Sequence, residues 1–133
     1  MSLISIDLGN KRCGIAIELE GIPFVHSIVP RTSLINELKK IFKEKSITKI
    51  IVGLPYDLYG IKNAQLDKTR SFINKLKSIF PDKEIIGIDE RFTSFEADNV
   101  LQSLGNKDNK GKKDAISALL ILETYINQIK KDF

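Results

Sequence analysis

The chain has 133 residues, of which 42% are apolar and 29% charged, with a formal net charge of +4. This is an ordinary composition for one soluble globular domain over 1–133, and it excludes disordered and fibrous classes. No apolar run approaches the ~20 residues of a membrane helix, no signal sequence precedes the first strand, and one cysteine, Cys13, leaves no disulfide framework or Cys-based zinc site; the expectation is a cytoplasmic protein with no membrane partner, and the positive charge allows a nucleic-acid partner without requiring one.

Residues 3–7 read as a buried strand that ends on Asp7. A glycine-bracketed turn carrying Lys11 and Arg12 follows, then a strand over 13–19 and another over 22–29. Glu20-Gly21 between these two is a tight hairpin turn. Three strands with short links make an antiparallel meander. Pro30 ends it, and Thr32 or Ser33 caps a helix running to 45, with Leu34, Ile35, Leu38, Ile41 and Phe42 at helical spacing.

Residues 47–54 form a buried strand stopped by Pro55, followed by a loop over 56–63. A helix over 64–80 carries Leu66, Ile73, Leu76 and Phe80 on one side. A strand over 84–88 runs into Asp89-Glu90-Arg91. Thr93 or Ser94 caps a short helix to about 104. The stretch 105–113 is polar and basic and reads as a mobile loop, and Asp114 opens a last helix to 130. The order strand-strand-strand-helix-strand-helix-strand-helix-helix is that of an α/β fold: a mixed sheet with helices on its faces.

Ligand sites in such sheets form beyond the carboxyl ends of strands. Asp7, the Asp89-Glu90 pair and Asp114 come from distant segments and fall at one such rim. Singly, each has a plain structural role: a turn residue, a solvated neighbour on a strand, an acid favouring a helix N-terminus. Together they form a carboxylate set suited to Mg²⁺ or Mn²⁺, and two such ions can align a phosphoryl displacement. Lys11, Arg12, Arg70, Arg91, Lys107, Lys110, Lys112 and Lys113 are candidates for phosphate contacts. Lys39, Lys40, Lys43 and Lys45 read as solvated surface. Tyr56, Tyr59 and Phe92 are candidates for stacking on bases as much as for packing. His26 and Cys13 read as structural.

Four runs carry a family resemblance: DLGNKRCGIA from Asp7, IVGLP from Ile51 with Gly60 downstream, DERFTSFEA from Asp89, and KGKKDAISALLILETY from Lys110. In these the sequence resembles the YqgF/RuvX family, RNase H-like proteins related to Holliday-junction resolvases and regarded as candidate pre-16S rRNA nucleases. The resemblance implies an RNase H-like fold with a five-stranded mixed sheet in the order 3-2-1-4-5 and helices on both faces. It also implies metal-dependent cleavage of a phosphodiester in maturing the 5′ end of small-subunit ribosomal RNA. Asp7, Glu90 and Asp114 carry over as the metal-holding catalytic acids, with Asp89 the alternative to Glu90. Where resolvases carry an acid at the end of the fourth strand, this chain has Gly53-Leu54.

The expected function is therefore a nuclease using Mg²⁺ or Mn²⁺. Lys11, Arg12, Arg70, Arg91, Thr93, Lys110, Lys112 and Lys113 are its substrate-binding residues, pre-16S rRNA its substrate and the small ribosomal subunit a partner. Branched DNA is the alternative substrate, as for a Holliday-junction resolvase. A noncatalytic rRNA-binding assembly factor is the rival from another class. A nucleotide phosphotransferase, suggested by the Asp-x-Gly-x-Lys start, needs two such domains. Monomer and homodimer are both compatible with the sequence.

Overall fold

The computed structural model describes residues 2–55, 63–89 and 110–131, with the side chains of the last segment described over 115–129. Three strands open the chain: β1 (Ser2–Leu8), β2 (Arg12–Leu19) and β3 (Ile22–Pro30). A 3₁₀ turn (Arg31–Ser33) leads into α1 (Leu34–Glu44), followed by β4 (Ile47–Leu54), α2 (Ala64–Ile79), β5 (Glu84–Asp89) and α3 (Lys110–Lys131). The strands form one five-stranded sheet in the order β3-β2-β1-β4-β5. β1 pairs antiparallel with β2 and parallel with β4, and β4 pairs parallel with β5. The expected mixed sheet and its order are therefore observed.

The β2–β3 turn has the backbone its sequence demands. Glu20 (φ 54°) and Gly21 (φ 85°) both lie in the left-handed region, as a two-residue hairpin turn requires. The carboxylate of Glu18 accepts from the Gly21 N–H and fixes the turn further.

Alternation along the strands separates two cores. Ile4, Ile6 and Leu8 of β1, Cys13, Ile15 and Ile17 of β2, and Ile50 and Val52 of β4 pack on Leu34, Leu38 and Ile41 of α1 and on Phe72 and Leu76 of α2. The rings of Phe42 and Phe80 meet edge to face at 4.9 Å where this core closes. The other face mixes aliphatic side chains with the small residues Ser5 and Ala16. Leu3 and Ala16 pack on Ala118 and Leu122 of α3, and Ile51 and Ile88 pack on Ile121. Small side chains bring α3 close enough for the Ser5 hydroxyl, fully buried, to donate to the Ala118 carbonyl at 2.5 Å.

Two sequence expectations need correction. No side chain of Thr32 or Ser33 caps α1: Ser33 makes no cap hydrogen bond, and the 3₁₀ turn leads straight into the helix. The side-chain cap appears instead at α2, where Asn63 accepts from the Leu66 N–H at 2.8 Å. The second difference is at α3, which begins at Lys110 rather than Asp114. Lysine is a good helix former and one glycine costs only about 1 kcal/mol, so the helical run extends back through Lys110, Gly111, Lys112 and Lys113. These lysines are the first turn of a helix, not part of a loop, and Asp114 is in its second turn. The expected short helix from Thr93 or Ser94, and the tyrosines Tyr56 and Tyr59, lie outside the described residues.

Candidate active site

β1, β4 and β5 run parallel, so Leu8, Leu54 and Asp89 end on one rim of the sheet. Asp7 is the next-to-last residue of β1 and is half-buried. It is in register with Gly14 of β2. On the other side Ile6 pairs with Val52, which makes Gly53 the next position of β4. Asp7 thus has glycine at the adjoining position of both neighbouring strands.

Asp7 shares its face with Leu3 and Ser5, the face covered by α3. The helix runs antiparallel to β1. Leu3 packs near Leu122, Ser5 meets Ala118, and Lys49, in register with Leu3, reaches the Tyr125 hydroxyl at 3.2 Å. Two strand residues from Ser5 to Asp7 rise ~6.7 Å. Four helix residues from Ala118 back to position 114 rise ~6 Å. The backbone at position 114 therefore lies level with Asp7, about one turn before Ala118.

Asp89 behaves differently. Ile86 and Ile88 of β5 belong to the α3 side, packing with Ile51 and Ile121. Alternation turns Gly87 and Asp89 to the α2 side. Gly87 agrees with this, since a Cβ there would come within 2.9 Å of the Leu54 side chain. Asp89 reaches the same rim as Asp7 but on the opposite face of the sheet. Glu90, Arg91 and Thr93 lie outside the described residues, as do the side chains of Lys110, Lys112, Lys113 and Asp114. Among the described residues, no three histidine, cysteine, aspartate or glutamate side chains gather into a set able to hold a metal.

The basic turn after Asp7 is tightly built. An ideal Cβ on Gly9 would stand 2.2 Å from the Arg12 carbonyl oxygen, so only glycine fits. Lys11 is exposed at the tip. Arg12 begins β2 in register with Pro30, on the same face as Gly14 and Asp7. Arg70, on α2, is exposed and separate from this turn. Arg31, which sequence reasoning missed, pins the turn from below. Its Nη1 donates to the Gly9 carbonyl at 3.0 Å, its backbone N–H donates to the Lys11 carbonyl at 2.9 Å, and its guanidinium lies 5.2 Å above the Phe72 ring. The available signal was an arginine directly after Pro30, where β3 returns to the rim. No described helix is long and apolar enough to cross a membrane.

Comparison with known proteins agrees with this geometry. A protein of Sulfurihydrogenibium sp. (strain YO3AOP1), named as a candidate pre-16S rRNA nuclease, is 36% identical over 134 aligned positions, covering 96% of this chain and 90% of its own length. One from Flavobacterium johnsoniae with the same name is 33% identical, with 94% and 95% covered. Among solved structures, Thermus thermophilus RuvC in complex with a Holliday junction substrate superposes with a TM-score of 0.57 at 14% identity, covering 96% of both chains. A second Thermus thermophilus RuvC structure gives 0.56 at 13% identity. At that identity the likeness speaks for the fold, which is RNase H-like. A family model described as "RuvX: Holliday junction resolvase" matches residues 1–128, and with relatives of this identity over nearly its whole length the chain belongs to the RuvX family.

Proposed function

We propose that residues 1–133 act as one nuclease domain, a metal-dependent endonuclease that hydrolyses RNA phosphodiesters in the 5′ leader of pre-16S rRNA. The observation that carries this reading is the placement of Asp7: half-buried at the carboxyl rim, glycine on both sides, and level with position 114 on the helix that covers its face. The names of the full-length relatives support the substrate. Asp7, Glu90 and Asp114 are the proposed metal-holding acids. Asp89 is set aside because it faces away from Asp7.

The residues fit Mg²⁺ or Mn²⁺, since carboxylate oxygens are what hard cations take, and Asp7 stands at the carboxyl rim of the sheet between two glycines. When bound, such an ion polarises the scissile phosphate and lowers the pKa of water. The chain's own groups do the rest. Lys11 and Arg12 on the turn hold the phosphate backbone beside Asp7, and Arg91 and Thr93 contribute from the segment after β5.

Lys110, Lys112 and Lys113 occupy the first turn of α3, which contains no acid. Cations there oppose the helix dipole by about 0.3–1 kcal/mol each at exposed sites. That cost is accounted for if a phosphate sits against the first turn, where unpaired backbone N–H groups and the lysines attract it together.

A second reading, an rRNA-binding assembly factor without catalysis, is favoured by one observation: the β4 position beside Asp7 is Gly53 rather than an acid. Either reading fits a cytoplasmic protein working with the small ribosomal subunit. The test is to incubate purified protein with a labelled pre-16S leader and with a four-way DNA junction, with and without Mn²⁺. Mn²⁺-dependent cleavage of the leader in preference to the junction is expected. Cleavage of the junction alone makes the chain a DNA resolvase. RNA binding without any cleavage makes it an assembly factor.

A further inference from the structure

A second basic surface lies below the Asp7 rim, on the other side of the sheet. Between the start of α1 and the first three turns of α2 is an open groove of about 530 Å³, with Arg31, Lys68, Ser71 and Lys75 among its walls and Phe72 in its floor. β3 ends, and the 3₁₀ turn and α1 begin, at the same rim that carries Asp7, because Pro30 is in register with Arg12. The groove therefore starts at the basic turn. The joint is Arg31 itself, which lines the groove while bonding to Gly9 two residues beyond Asp7.

We infer that this groove is a second contact for the RNA strand, holding the phosphate backbone of the segment that leaves the Asp7 site across the Lys11–Arg12 turn. The inference rests on the nuclease reading for the strand's direction, but its chemistry is independent of cleavage. Three cations, Arg31, Lys68 and Lys75, face one carboxylate, Asp67. Lys68, Ser71 and Lys75 are exposed, so they reach a ligand without rearrangement. The two lysines stand seven positions apart, ~10 Å along α2, so they act on different phosphates.

Arg31 lies over Phe72 and is tied to Gly9 through one nitrogen, so its position is set before a ligand arrives. A planar guanidinium fixed in this way grips a phosphate or stacks on a base with little ordering cost. A single flexible strand fits an open groove between two helices, and its successive phosphates match cations spaced along α2.

The test is binding of a labelled single-stranded leader RNA in EDTA, so that no cleavage occurs, read as the slope of log affinity against log salt. Lys68→Gln with Lys75→Gln removes two contacts from exposed positions. The slope should fall by about 1.4, at ~0.7 per phosphate contact on a single strand. Affinity should then drop about sevenfold less than wild type between ~50 and ~200 mM salt. Asp67→Asn should tighten binding. Lys40→Gln with Lys43→Gln, the same charge change on exposed α1 positions outside the groove, should leave the slope at the wild-type value. A wild-type slope in the groove variant overturns the inference, as does an equal fall in the α1 control. If no RNA is cleaved in Mn²⁺ but the slope still falls only in the groove variant, the groove stands and the nuclease reading fails. If Mn²⁺-dependent cleavage is seen and the slope is unchanged, the nuclease reading stands and the groove contact fails.

Discussion

Replacing Gly9 by alanine tests how tightly the basic turn sets the candidate active site. The added Cβ would lie 2.2 Å from the Arg12 carbonyl oxygen, whereas ordinary contact begins near 3.4 Å, so the turn must open by more than 1 Å. The obstacle is backbone, which cannot rotate aside as a side-chain tip would. The carbonyl of Gly9 also accepts from Arg31 Nη1 and from the Cys13 thiol, and opening the turn strains both. Overpacking of this kind costs about 1–3 kcal/mol. A displacement of ~1 Å beside a reacting group costs about 10²-fold in rate.

Gly21→Ala is the matched control. It forces alanine to φ 85° with nothing within 4 Å, costing about 1–2 kcal/mol at the opposite end of β2. Urea unfolding reads stability, and single-turnover cleavage of the leader RNA reads the site. Both variants should unfold earlier, but only Gly9→Ala should lose rate beyond its unfolded fraction. A Gly9→Ala protein with wild-type midpoint and wild-type rate would refute the reasoning.

Two other outcomes are expected. Ser5→Ala removes the buried hydroxyl that ties β1 to the Ala118 carbonyl and should cost about 0.5–1.5 kcal/mol; hydrogen exchange should quicken in α3 more than in α1, and equal changes in both helices would contradict the tie. His26 is the extra residue of a bulge in β3, and burial lowers its pKa below the usual 6.5, with Glu37 acting in the opposite direction. Between that lowered value and 6.5 the unfolded chain binds more protons, so His26 contributes stability above about pH 6.5 that is lost as pH falls through the folded value. The acid-side fall in Tm should therefore be shallower in His26→Gln, and identical pH profiles would contradict this.

Much of the fold was legible because its signals are local. The run from Ile47 to Leu54 is apolar, strand-length and bounded by Pro55, and β4 has those limits. Glu20-Gly21 is a hairpin turn whichever fold surrounds it. The start of α3 was not legible, because a lysine-rich run with a glycine looks like a loop until packing of Ala115 and Ala118 on the sheet extends the helix back through it. The missing cap on α1 has the same origin: serine and threonine before an apolar helix suggest a cap, but the 3₁₀ turn that anchors Arg31 leaves none to make.

At the candidate site, Asp7 was legible as a strand-end acid beside a basic turn. The face that Asp89 takes was not, since it depends on the phase of β5. Only the packing of Ile86 and Ile88 against the α3 side fixes that phase. Arg31 was hidden because its role depends on Gly9 and Phe72, which are 22 residues before it and 41 after it in the chain.

The most direct test of the account is Mn²⁺-dependent cleavage of the leader RNA by Asp7→Asn, Asp114→Asn and Asp89→Asn, with Mn²⁺ affinity measured on the same proteins. Asp7→Asn and Asp114→Asn should lose about 10²–10³-fold in rate, the scale for removing one electrostatic stabiliser, with weakened Mn²⁺ binding. Asp89→Asn, facing the α2 side, should cleave and bind Mn²⁺ as wild type does. Full activity in Asp7→Asn, or a loss in Asp89→Asn equal to that of Asp7→Asn, would contradict it.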